Sequence, residues 1–260
     1  MQILETQRAQ LDLDELNVVL RAREPIEILR WAVETFGDRL ALQSSMQKTA
    51  GVLMHMLSQV SLQTEIIFVD TGVHFMETLD VRDEFVRRYG LNIKSYSPAQ
   101  SFDQQYNEYG HYLHEVDDSL AGSPPGYKMC CRLRKEVPFI AAVRGRFDAV
   151  VSGLMRTEGG ARGGVEIITW DARTEAYKIN PLAYWTPAQV EAYTREQDLP
   201  VHALYGKGFP SIGCWTCTTP VQPGEDQRAG RWRHIREKNK EQRSAPIYCG
   251  INFEDRGSGI

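Results

Sequence analysis

The chain has 260 residues, 42% of them hydrophobic and 25% charged, enough to bury a full core in one large domain. Its formal net charge of −4 gives no bulk attraction to nucleic acid. The longest apolar run, Val52 to Leu57, is broken by His55, and the acidic start "MQILETQRAQLDLDE" lacks both parts of a signal peptide, so a cytoplasmic protein without nucleic acid or membrane partners is expected.

In chain order, Leu29, Ala32, Val33 and Phe36 fall on one face at helical spacing. "RLALQSS" reads as a short buried strand, and Val52, Leu53, Met56, Leu57 and Val60 form the next helical stripe. "EIIFVD" is a second strand ending in Asp70, "TLDVRDEFVRRYG" a helix closed by Gly90, and "LNIKSYS" a third strand. A helix over Cys131 to Val143 leads into the strand "FDAVVSG". "VEIITWD" and "AYKINPL" are either two more short strands or an extended segment across the binding face. "TPAQVEAYTREQD" is a helix with Thr186 as N-cap and Pro187 at its first position.

This β-α-β alternation predicts an α/β fold, a parallel twisted sheet with flanking helices. Residues 1–204 then form the α/β domain with its N-terminal helices. Gly, Pro and charge dominate from about Tyr205, which makes 205–260 a functional tail. Ligands of such sheets bind beyond the carboxyl ends of the strands, where "SSMQKTAG", "DTGVHF" and "SGLMRTEGGAR" should meet. The first offers hydroxyls and N–H groups at a helix N-terminus, a seat for an anion; a capped helix with no ligand is the plainer reading. It lacks the Gly-x4-Gly-Lys-Ser/Thr pattern of a Walker A loop.

Five cysteines, an odd number, point in a reducing compartment to metal or thiol chemistry. "GCWTC" sets Cys214 and Cys217 at Cys-x2-Cys spacing, which alone fits a metal, a redox dithiol or chance. With the adjacent Cys130 and Cys131 of "KMCCRLRK" it makes four thiolates. A zinc knuckle needs both sulfurs of each pair turned to one point, whereas neighbouring residues can each take a corner of an iron–sulfur cube. The pattern thus favours a [4Fe-4S] cluster over zinc, with a metal-free set as the third reading. Arg132, Arg134 and Lys135 are either a solvated helix face or cations that balance an anionic cluster and substrate. Cys249 in "APIYCGIN" is either an inert thiol or a nucleophile whose thiolate is favoured by the cations of "RAGRWRHIR".

Together these segments resemble the assimilatory adenylyl-sulfate (APS) reductases, the iron–sulfur branch of the PAPS/APS reductase family within the adenine nucleotide α-hydrolase-like fold. The resemblance runs from about Pro25 to Asn252 and rests on "VDTGVHFMET", "CCRLRK", "YKINPLAYW", "GCWTC" and "DQRAGRW". It implies that Cys130, Cys131, Cys214 and Cys217 hold the cluster and that Lys135 sits between cluster and substrate. Ser44 and Ser45 would line the phosphosulfate site, with Arg156, Arg162, Arg228 and Arg231 supplying positive charge suited to spread anionic oxygens. Cys249 would attack the sulfur of adenylyl sulfate or its 3′-phosphorylated form, AMP would leave, and a thiol of thioredoxin or a similar dithiol reductant would release sulfite. A homo-oligomer is expected. The family's tail pattern, Lys-x-Glu-Cys-Gly-Leu/Ile-His, is replaced here by Pro246, Ile247, Tyr248, Cys249, Gly250, Ile251 and Asn252, a nearly neutral setting for the nucleophile. That change keeps open a divergent relative with another sulfur-transfer or nucleotide-activation reaction, or a non-catalytic iron–sulfur protein.

Overall fold

A computed structural model describes residues 11–119, 122–158 and 162–238. Helices α1 (Leu13–Arg21) and α2 (Pro25–Phe36) precede strand β1 (Leu40–Ser44), then α3 (Lys48–Ser58), β2 (Glu65–Val69), α4 (Met76–Tyr89), β3 (Ile93–Tyr96) and α5 (Phe102–Tyr109). Helix α6 (Tyr127–Cys131) runs through a π-helical turn, Arg132–Glu136, into α7 (Val137–Val143) and β4 (Ala149–Val151). Strands β5 (Ile168–Asp171) and β6 (Ala176–Ile179), then α8 (Pro187–Glu196) and α9 (Arg233–Lys238), complete the described elements. Among the described residues no helix is long and apolar enough to cross a membrane.

The strands form one sheet in the order β3-β2-β1-β4-β6-β5. Every pairing is parallel except β5 with β6, which is antiparallel. The two short segments after β4 are therefore a hairpin on the edge of a parallel sheet. A connection this short can only reverse the chain, and Asp171 ties it by accepting the Arg173 N–H at 3.0 Å.

Alternation along the strands divides the core in two. Leu40, Leu42, Ile66 and Phe68 face α2, α3, α4 and α8, while Ala41, Ile67 and Val69 face Phe139, Ala142 and Val143 of α7. Helix α3 is more than the expected stripe. Its residues from Ala50 to Leu57 are all buried, because α2, α4 and α8 pack around it. Gly51 belongs to this fit, since a Cβ there would lie 3.2 Å from the Phe85 ring.

Residues 205–238 also pack onto the body, despite their polar composition. Trp232 and Ile235 are fully buried against Tyr127 and Cys217. The bridges His74↔Cys214 and Thr218↔Arg231 stitch this segment to the loop after β2 and to itself.

Candidate active site

The loop between β1 and α3 turns sharply. Met46 adopts φ +56°, the left-handed region that a residue other than glycine rarely enters. Buried Ser44 stabilises the turn, its Oγ accepting the Met46 N–H at 3.2 Å. Ser45 is exposed and its Oγ accepts from Gln47 Nε2 at 3.4 Å. The first N–H of α3, from Lys48, reaches Tyr205 Oη at 3.3 Å, and Gln47 Oε1 accepts the Ile212 N–H at 3.2 Å. The helix start is therefore held by residues more than 150 positions away, a role for Gln47, Lys48 and Tyr205 that no local pattern announces. Burial pushes the Tyr205 phenol up to about 12, and the nearby charges of Glu158 and Glu191 add to the effect.

The first cysteine pair lies on a helix with a built start. The Asp118 carboxylate accepts the N–H groups of Gly126, Lys128 and Met129 at 2.9, 2.9 and 3.0 Å, satisfying donors that a helix N-terminus leaves free. The π-helical turn that follows is a feature often found at functional sites.

The second pair is docked on the loop after β2. Trp215 donates its N–H to Val73 O at 3.0 Å, Cys217 its N–H to Cys214 O at 3.1 Å, and Trp232 its N–H to Cys217 O at 2.9 Å. The two pairs lie near each other, with Cys131 packed against the cluster of Tyr127, Cys217, Trp232 and Ile235; Cys130, Cys214 and Cys217 are buried and Cys131 is half-buried. Burial lifts the Cys130 thiol to about 12, helped by Cys214 and Cys217 and opposed by Lys135 and Arg134. Cys217 is raised by burial and by Cys214. Cys214 stands apart. Burial pushes it up, but the Lys135 charge, a hydrogen bond with Thr71 at 3.4 Å and the Arg231 charge together bring it below its ordinary value. Among the described residues no three His, Cys, Asp or Glu side chains are arranged to share one metal ion.

The basic residues separate into distinct tasks. Lys135 reaches the Cys214 thiol, to which it hydrogen-bonds. Arg134 is buried and ties the β2 loop to α5, donating from Nε to Thr71 O and from Nη1 to Gln105 Oε1, both at 2.8 Å. Arg228 and Arg231 converge on Ser211 Oγ at 3.2 and 3.4 Å, and Arg231 stacks over Trp232 at 4.6 Å. Gly213 makes room for it, since a Cβ there would meet Arg231 Nη2 at 2.2 Å. Arg156 points its Nη1 at Glu166 Oε1 (2.8 Å), a carboxylate it shares with Arg21 of α1. Arg162 pairs with Glu158 at 3.3 Å. Cys249 lies outside the described residues.

A family model described as the phosphoadenosine phosphosulfate reductase domain matches residues 39–220. The chain is similar to the adenosine 5′-phosphosulfate reductase of Halalkalibacterium halodurans, 35% identical over 227 residues, which are 87% of this chain and 94% of that protein. It is similar to the phosphoadenosine 5′-phosphosulfate reductase of Gloeobacter violaceus, 37% identical over 241 residues, 90% of this chain and 95% of that one. The crystal structure of phosphoadenylyl-sulfate reductase from Candida auris, a phosphate complex, superposes with a TM-score of 0.67 at 29% identity, covering 81% of this chain and 98% of that one. Over most of its length, then, the chain belongs to the phosphoadenosine phosphosulfate reductase family and is an enzyme.

Proposed function

We propose that the chain is a cluster-bearing adenylyl-sulfate reductase that forms sulfite and AMP through an S-sulfocysteine on Cys249. The observation that carries the cluster is the meeting of two cysteine pairs from distant parts of the sequence, with Cys131 packed by Cys217 and Cys130 close enough to feel Cys214 and Cys217. Their donor chemistry suits the group. Four thiols stand beside two cations, and each thiolate of a cluster takes a different iron, so it need not share one point as around a single ion. Cys130, Cys131, Cys214 and Cys217 would hold it, and when bound it would add a polarisable anionic partner for Lys135.

The chain's own residues account for the rest. Adenylyl sulfate would lay its phosphosulfate at the start of α3, among Ser44, Ser45 and the N–H groups of the Met46 turn. Arg228 and Arg231 enter from the segment that also bears Cys214, so one element brings positive charge to the anion and thiols to the other pair. The Cys249 thiolate attacks the sulfate sulfur. The S–O bond to phosphate breaks, AMP leaves with that electron pair, and the sulfonate stays on Cys249. A dithiol such as thioredoxin then attacks Cys249 Sγ, sulfite departs, and the second thiol resolves the mixed disulfide. Cys249 returns as a thiol and the reductant ends oxidised. Residues 205–260 would thus both complete the cysteine set and deliver the nucleophile, while residues 1–204 bind the nucleotide.

The reading is tested by incubating anaerobic protein with radiolabelled adenylyl sulfate, with Cys249→Ser beside it. A sulfo adduct on the wild type alone is expected, and its absence from protein that binds the nucleotide refutes the mechanism. Separately, Cys214→Ser should emerge colourless while Cys249→Ser keeps the brown thiolate-to-iron absorption. Bleaching by Cys249→Ser would overturn the division of the five cysteines.

A further inference from the structure

The loop after β4 carries an ion pair, Arg162 with Glu158, whose acidic member has no task in the chemistry above. Arg162 is 9% exposed, and its Nη1 lies 3.3 Å from Glu158 Oε2. Its Nε is buried with no hydrogen-bond partner among the described residues. A guanidinium presents five donors in a fixed fork, and leaving one dry inside a protein is costly unless a ligand brings the acceptor. Glu158 is far less covered, its side chain 31% exposed, and its Oε2 also accepts the Met155 N–H at 3.5 Å.

The segment that carries the pair packs on α3, the helix that follows the anion loop. Gly153, at the root of the same segment, sits so close to α3 that a Cβ would come within 2.8 Å of Thr49 Oγ1. Glu158 acts on Tyr205, whose Oη accepts the Lys48 N–H at the start of α3. A carboxylate thus stands near the proposed phosphosulfate seat, holding a nearly buried cation with a donor to spare.

We propose that Glu158 is the internal counter-ion of this seat: it occupies Arg162 in the free chain and an anionic nucleotide must displace it. The proposal rests on the adenylyl-sulfate reading above. Glu158 lowers affinity for anions in general, and it reserves Arg162 for a ligand that supplies acceptors to Nη1 and Nε together. Were Glu158 only a strut that holds Arg162 in place, neutralising it would weaken binding instead.

The test is titration calorimetry of adenylyl sulfate into anaerobic full-length Cys249→Ser protein, so that the ligand is not consumed. Adding Glu158→Gln, which keeps the length and the acceptor for Met155, should tighten binding about fivefold at low ionic strength. The gain should shrink as salt screens the charges and vanish in an Arg162→Gln background. Unchanged or weaker binding by Glu158→Gln overturns the proposal, as does a gain that persists without Arg162. If the parent protein itself fails to bind adenylyl sulfate, the nucleotide reading falls and takes this inference with it.

Discussion

Arg134 and Lys135 are neighbours in sequence with different work, because consecutive positions of the helical turn that carries them point to different sides. Arg134 turns inward to Thr71, Gln105 and the face of Phe102, 5.3 Å from its guanidinium carbon, while Lys135 turns to Cys214. In the sequence both are simply cations beside two cysteines, and nothing local separates the tie from the site residue. Arg134 is 2% exposed, and burial lowers its pKa, so its charge is tolerated only through those contacts. Lysine has no planar fork to make them at once. Arg134→Lys should therefore cost about 2–4 kcal/mol of stability, read from urea unfolding. A cost within about 0.5 kcal/mol, the range of ordinary surface changes, would contradict the assigned role.

At the scale of elements, legibility followed locality. The strands β1, β2 and β4 are legible as short apolar runs, β3 as the short segment after the Gly90 helix stop, and α8 from Thr186 and Pro187, since its cap is adjacent in sequence. The sequence predicts the helix bearing the first cysteine pair only from Cys131 onward, whereas it begins at Tyr127. Its cap is Asp118, which reaches across a loop, so no capping pattern precedes the helix. Gly126 explains how that loop closes. A Cβ there would lie 2.4 Å from Val116 O and 3.0 Å from Asp118 N, backbone atoms that can yield only by moving the helix start. Gly126→Ala should cost about 1–3 kcal/mol and loosen the first cysteine pair relative to the second. The check is cluster content per chain, from absorbance and iron analysis, alongside the unfolding midpoint. A variant that is less stable yet fully loaded would show that the cysteine pairs do not depend on this start.

Across the whole molecule, chain order and spatial order part company. β1 lies between β2 and β4, and β6 rather than β5 lies beside β4; this arrangement depends on packing hundreds of atoms, not on any short pattern. The same long-range closure buries histidines that the sequence shows only as scattered polar residues. His55, His74, His114 and His202 all have pKa values lowered chiefly by burial. His202 is the most firmly placed. Its Nδ1 accepts the Leu204 N–H at 3.3 Å, so Nε2 carries the proton given to Thr78 Oγ1 at 2.9 Å. The folded chain thus prefers neutral imidazoles, while the unfolded chain takes up protons near pH 6.5. Stability is then full above about pH 6.5 and declines as pH falls from there through the lowered folded-state values. Glu65 acts in a lower window. Burial works to raise its pKa, but Lys94, Tyr96 and Arg146 outweigh it, so its contribution is lost only below about pH 4.5. Between about pH 7.5 and pH 5.5 the urea midpoint should therefore drop on account of histidines alone. His202→Gln, which can still donate to Thr78 but takes no proton, should drop less over the same interval. A wild-type midpoint that stays level, or an equal drop in His202→Gln, would remove His202 as a carrier of the pH dependence.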